Sequence, residues 1–175
     1  MDCISSDTNI WFDFHSIDQL SLPFLMSYKY IIFEEALREE IVSPPELLAK
    51  LIKYGLTGVE LTTEEFFYAE MLGGKYVRLS GYDRTALAIA RERGIPLMTG
   101  DRALRKAAEA EGVEVFGTIG LLDRMYGAGV INSKIYLSCL EKFKKHPERR
   151  LPQEELDERI HAILKVMEEY QLVDE

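Results

Sequence analysis

The stretch Ile95-Pro96-Leu97-Met98-Thr99-Gly100-Asp101-Arg102-Ala103-Leu104 reads as strand, turn and helix start. Ile95 to Met98 is a short apolar run, Thr99-Gly100 a turn, and Asp101 a residue type that caps helices. Leu104, Ala107 and Ala108 then fall on one side of a helix that Gly112 ends. Working outward, the same kind of strand signal recurs at Cys3 to Ser6, Tyr30 to Phe33, Gly58 to Leu61 and Val113 to Phe116. Helical patterns lie between these runs. Pro44-Pro45 opens one, with Leu48, Leu51 and Ile52 on a face and Gly55 as its stop. Asp83 opens another, closed by Gly94; Ala86 to Ala90 is apolar all round, which predicts deep burial. Ile119 to Tyr126 is a further helix, ended by Gly127. The alternation predicts an α/β fold: three layers, α/β/α, around a mostly parallel sheet of about five strands.

After about Asn132 the strand signals stop. Tyr136, Cys139, Leu140 and Phe143 follow helical spacing, and so do Leu156, Ile160, Ile163 and Met167 behind Pro152. A basic hinge, Lys144-Lys145-His146-Pro147 with Arg149-Arg150, separates the two. The expectation is an α/β body over residues 1–132 and a C-terminal helical hairpin over 133–175. The hairpin would pack on the core or on a dimer partner.

Composition narrows the class. The chain has 175 residues, 47% of them hydrophobic, enough to build a core and to exclude disorder as its global state. No apolar run approaches the roughly 18 residues of a membrane span, so no membrane role is expected. Met1-Asp2-Cys3 places an acid where a signal peptide needs bases, so no leader is expected. Cys3 and Cys139 lie far apart, as free thiols of a cytoplasmic protein would. With 21 Lys+Arg against 30 Asp+Glu, the net charge of -9 excludes a protein that coats nucleic acid by bulk charge.

Three of the acids share one local setting. Asp7 follows the first strand, Asp101 follows the fourth, and Asp83 begins the buried helix. In a parallel sheet the carboxyl ends of the strands share one edge, where ligands bind. Carboxylates about 4 Å apart repel by roughly 4 kcal/mol at an effective dielectric of 20, a cost that a divalent cation relieves. Oxygen ligands without sulfur or imidazole select Mg²⁺ or Mn²⁺. His15, His146 and His161 form no metal-spaced pair, which argues against zinc. The plainer reading is that each aspartate is only a helix cap. Asp13 and Asp18 read as loop or solvated helix positions, Asp123 as exposed, and Trp11 and Phe12 as core aromatics.

Four pieces, in this order, resemble the PIN domain family of metal-dependent nucleases. They are Asp7-Thr8-Asn9, the acidic helix ending Ala36-Leu37-Arg38-Glu39-Glu40-Ile41, Asp83 in Gly-Tyr-Asp-Arg-Thr-Ala-Leu-Ala-Ile-Ala, and Thr99-Gly100-Asp101-Arg102-Ala103-Leu104. Gly117-Thr118-Ile119-Gly120-Leu121-Leu122 and the helical tail resemble a prokaryotic branch that carries such a tail. The resemblance implies that Asp7, Glu40, Asp83 and Asp101 are catalytic and hold Mg²⁺ or Mn²⁺, with Glu39 the alternative second acid. Thr8, Asn9 and Thr99 would support them. The metal would activate water to hydrolyse RNA phosphodiesters, making the chain an endoribonuclease. The resemblance also implies a homodimer, and a toxin paired with an antitoxin protein. Arg84, Arg102 and Arg105 sit on the helices that the later aspartates open, and they would hold RNA phosphates; the plainer reading is solvated helix charge. Arg91 and Arg93 read as solvated in any case. The basic hinge is a second candidate patch. The stretch Pro44 to Tyr76 matches no signature of the family.

A catalytically silent PIN-fold module that binds nucleic acid or protein is the competing function. Phosphotransfer folds fit less well. Asn9 stands where a phosphatase of the haloacid dehalogenase type needs its second aspartate, and Gly117-Thr118 where a receiver domain needs lysine. No glycine-rich dinucleotide turn follows the first strand.

Overall fold

The computed structural model describes residues 2–171. Five strands form one parallel sheet: β1 (Cys3–Ser6), β2 (Lys29–Phe33), β3 (Thr57–Val59), β4 (Leu97–Met98) and β5 (Val115–Phe116), in the order β3-β2-β1-β4-β5. The described helices are α1 (Asn9–Ser16), α2 (Glu34–Glu40), α3 (Pro45–Tyr54), α4 (Thr63–Lys75), α5 (Gly81–Arg93), α6 (Arg102–Ala110), α7 (Thr118–Gly127), α8 (Ser133–Lys144) and α9 (Gln153–Gln171).

The alternation of side chains along a strand sorts the layers. Ile4 and Met98 face a large core with α1, α3, α7, α8 and α9, whereas Leu97 faces a smaller core with α4, α5 and α6. The serines of β1 follow the same rule. The Ser5 hydroxyl donates to the Ala86 carbonyl of α5 at 3.0 Å. Ser6 donates to the Ile31 carbonyl and accepts the Trp11 indole N–H, both at 3.2 Å. Small residues at the centre of the sheet thus let α5 lie close on one side and seat Trp11 on the other. Every residue from Ala86 to Ala90 is buried, as the all-round apolar run predicts.

Boundaries differ from expectation where caps decide them. Asp83 does not open α5. Ser80 is the cap, and Asp83 is its reciprocal partner: the Ser80 hydroxyl accepts Asp83 N–H at 3.1 Å and Asp83 Oδ2 accepts Ser80 N–H at 2.8 Å. Pro44 to Tyr76 contains α3, β3 and α4, and α4 starts in a second such box between Thr62 and Glu65. Glu65 is 1% exposed and is paired by Arg93 at 2.5 Å, so Arg93 is not a free surface charge.

The C-terminal hairpin closes over the larger core. Phe143 of α8 meets Phe14 of α1 edge to face at 5.7 Å. Leu151, Leu156 and Ile163 belong to the same apolar cluster as Ile4 and Trp11. Two acids fasten it. Asp13, expected at a solvated position, is 3% exposed because α1 is covered on nearly every side. It accepts the Thr118 hydroxyl and the Arg149 Nε–H, the latter at 2.7 Å, while Arg149 also donates to the Asn9 carbonyl at 3.1 Å. Asp123, expected to be exposed, accepts from Arg159 of α9 at 2.8 Å and from the Tyr136 hydroxyl at 2.5 Å.

Candidate active site

Asp7 is carried past the end of β1, and its N–H donates to the Met98 carbonyl at the end of β4 at 2.9 Å. That bond joins the two loops leaving adjacent parallel strands at one sheet edge. Asp7 Oδ1 accepts the Thr8 N–H at 2.7 Å, and Oδ2 accepts the Thr99 hydroxyl at 2.8 Å. The Thr99 hydroxyl in turn accepts Asp101 N–H at 3.0 Å. Thr99 therefore orients the Asp7 carboxylate with its proton and the Asp101 backbone with its lone pair.

Glu40 stands at the last turn of α2, and its Oε2 accepts the Thr8 hydroxyl at 2.8 Å. Thr8 lies between the two acids: its hydroxyl is 2.8 Å from Glu40 and 3.4 Å from Asp7. Glu39 turns outward and accepts the Tyr82 hydroxyl. Between the two glutamates, the local geometry puts Glu40 toward Asp7. Asp83 is held by its capping role on the first turn of α5.

Asp7 and Glu40 are both displaced from the ordinary carboxylate range. Burial raises Asp7 from the 3.8 of a free aspartate to about 6; the nearby Asp83 and Glu40 charges add to it, and the Thr99 and Thr8 hydrogen bonds oppose it. Burial also raises Glu40, helped by the Asp83 charge and opposed by the Thr8 hydrogen bond. A small crevice of about 10 Å³ opens between Asp7, Thr8, Glu40 and Tyr82, about the volume of a single water.

Asp101 does not join this group through its side chain. Its Oδ1 caps α6 by accepting Leu104 N–H at 2.8 Å, and it is exposed. Asn9 Oδ1 accepts Gly100 N–H at 3.1 Å and so pins the loop that carries Thr99 and Asp101. Arg84 lies over Gly73 of α4, where an added Cβ would sit 2.0 Å from its guanidinium, and donates to the Ser80 carbonyl at 3.3 Å. Arg105 reaches the Thr99 carbonyl at 3.4 Å, and Arg102 is exposed beside it. The sequence reading passed over Tyr82, which roofs the crevice and stacks obliquely on Phe33 at 6.2 Å. Its position next to Asp83 on the first turn of α5 was the available signal.

The donor set is suited to a hard divalent cation. It is made of carboxylate oxygens, partly desolvated and mutually repelling, with hydroxyls behind them. Among the described residues, no three His, Cys, Asp or Glu side chains are arranged to share an ion as they stand. One Asp83 oxygen is engaged by Ser80 N–H and one Asp101 oxygen by Leu104 N–H, which leaves the other oxygen of each without that bond.

Thr99→Val tests the orienting hydrogen bond. Loss of the hydroxyl removes an interaction that favours ionised Asp7, so the Asp7 carboxyl is expected to titrate above about 6. Carboxyl-detected NMR titration of the metal-free protein reads the shift, and an unmoved or lowered Asp7 would contradict the geometry.

A family model described as a PIN domain matches residues 3–165. No curated protein and no solved structure gives a significant match. Among the described residues, no helix is long and apolar enough to cross a membrane.

Proposed function

The chain belongs to the PIN domain family, and from that premise we propose that it is a metal-dependent ribonuclease. In this reading Asp7, Glu40 and Asp83 hold Mg²⁺ or Mn²⁺. The observation that supports it most is the state of Asp7: half-buried, and raised to about 6 by desolvation and by two nearby carboxylates. Such a cluster is costly alone and is relieved by a cation. When bound, a divalent cation supplies Lewis-acid activation of water and charge stabilisation for in-line attack on phosphorus.

The chain's own residues do the rest. Thr8 and Thr99 fix the two oxygens of Asp7. Asp101 contributes as the fourth acid through Oδ2, the oxygen not used in its cap. Asn9 keeps that loop in place. Arg102 and Arg105 hold substrate phosphates. Arg84, resting on α4, supports the N-terminal turn of α5 that presents Asp83.

Cleavage of a labelled single-stranded RNA by the purified chain tests the reading. Strand scission with Mn²⁺ or Mg²⁺, and none with EDTA, is the expected result. No scission with any divalent cation would end it. Mn²⁺ binding without turnover would instead favour a silent nucleic-acid- or protein-binding module. The finer form of the proposal is an endoribonuclease toxin, homodimeric and paired with an antitoxin protein. Growth arrest on expression and the mass in solution test that form.

A further inference from the structure

Beyond the carboxylate cluster, the C-terminal extension and the sheet edge enclose a cavity of about 450 Å³. That volume falls within the range of sites for small organic ligands. One wall is basic. Arg102, Arg105 and Arg150 line it, and none of the three forms an ion pair among the described residues. Arg159 also borders the cavity but is engaged by Asp123 and Glu155. The lining also includes the largely buried apolar residues Phe116, Ile119 and Leu151, and Glu155, whose carboxylate faces Arg159. In a chain of net charge -9, three unpaired guanidinium groups around one cavity are a local exception.

Two of these arginines are placed by features of the backbone around them. Arg105 lies against Gly117, where an added Cβ would stand 2.7 Å from its Nη2, so the absence of a side chain at 117 lets the guanidinium enter. Arg150 has φ +56°, the left-handed conformation of a residue that ends a helical turn, and its N–H donates to the Pro147 carbonyl at 3.0 Å. Its neighbours explain why it stays there. Arg149 is tied to Asp13 and the Asn9 carbonyl, and Leu151 is buried. The chain between these two anchors turns sharply, and Arg150 is the residue left at the cavity.

The cavity borders the loop that holds Asp7 in the proposed active site. Gly100 lines it, and Arg105 donates to the Thr99 carbonyl, while the Thr99 hydroxyl holds Asp7. We propose that this cavity is a nucleotide pocket of the RNA-binding groove, in which Arg102, Arg105 and Arg150 hold a phosphate and the apolar residues take the adjoining base. The C-terminal extension is then part of the substrate site, through Arg150 and Leu151. Guanidinium forks match phosphate oxygens, and an apolar surface accepts a base face of any identity. The inference rests on the ribonuclease reading for the class of ligand.

The test uses the full chain carrying Asp7→Asn, to prevent turnover, and fluorescence anisotropy with a labelled single-stranded RNA of about twenty nucleotides. Arg150→Gly keeps the left-handed backbone while removing the side chain. It is expected to weaken binding about tenfold and to lower the salt slope by about 0.7, the share of one phosphate contact on a single strand. Arg105→Ala should do the same, Arg150→Lys should restore the slope, and Arg91→Ala, on the outer face of α5, should change neither. Unchanged affinity and slope in Arg150→Gly and Arg105→Ala overturn the pocket, as does absence of RNA binding by the parent. Cleavage by the chain with Asp7 intact is scored separately. If it cuts RNA while the pocket variants keep its KM, the nuclease stands and the pocket falls. RNA binding that depends on Arg150 without cleavage under any metal leaves the pocket and removes the nuclease.

Discussion

Asp7→Asn is expected to lower metal-dependent RNA cleavage about a thousandfold while making the metal-free protein more stable at pH 7.5. The two effects have one cause. In the folded chain the Asp7 carboxyl sits at about 6, against 3.8 when free. Between those values the folded state binds more protons than the unfolded state. Stability therefore rises as pH falls through about 6 and is fully recovered below about 4. Above 6 the ionised carboxylate is a burden that the metal-free fold carries. A shift of about two units corresponds to roughly 3 kcal/mol. Asparagine removes that burden but also weakens the hydrogen bonds from Thr8 and Thr99, so a net gain of about 1 to 2 kcal/mol is expected. In a chain of this size this is a rise of roughly 3 to 6 °C in Tm. Melting curves in EDTA at pH 7.5 and pH 4 measure it, and the gain should vanish at the lower pH. A variant less stable than the parent at pH 7.5 would show that ionised Asp7 is no burden to the metal-free fold. Retained cleavage would take Asp7 out of the chemistry.

The second large effect lies away from the acids. Arg149→Met is expected to cost about 3 kcal/mol, or roughly 6 to 12 °C in Tm. Asp13 is 3% exposed, and Arg149 supplies both a 2.7 Å hydrogen bond and the opposing charge. Burial already raises the Asp13 carboxyl, against the lowering effects of Thr118 and Arg149. Without Arg149 it is raised further, so the variant should lose less stability in acid than at neutral pH. Adding Asp13→Asn to Arg149→Met should recover a large part of the loss, since the uncompensated charge is gone. A loss unaffected by pH and by Asp13→Asn would mean that Arg149 matters only through packing on the Phe12 ring, 5.8 Å away.

These two sites differ in how far the sequence announces them. The strands are legible because each is a short apolar run bounded by turn residues, and all five expected runs overlap a strand. Helix ends at Gly55 and Gly94 are legible because both residues take positive φ, +119° and +62°, where other residues are strained. Asp7 and Asp101 are readable as strand-end acids from their neighbours alone. Asp13 is not. Its partners, Thr118 and Arg149, stand 105 and 136 residues further along the chain, so no local pattern marks it as buried. α4 escaped for another reason. Phe66 and Phe67 are 52% and 66% exposed, while Glu65 is buried, which inverts the polarity on which a helical reading depends. Which glutamate faces Asp7 also needs three dimensions, because adjacent residues on a helix differ only in direction.

The central place of β1 has a consequence for synthesis. β1 is made first and pairs with β2 once residue 33 has emerged, but its other neighbour, β4, ends at Met98. During translation at about 5–20 residues per second, one edge of the first strand waits several seconds for its partner. An open strand edge is a template for pairing with other chains. Four residues long, with two serines among Cys3 to Ser6, this one is short and only half apolar, which blunts that hazard while the rest of the protein is still on the ribosome.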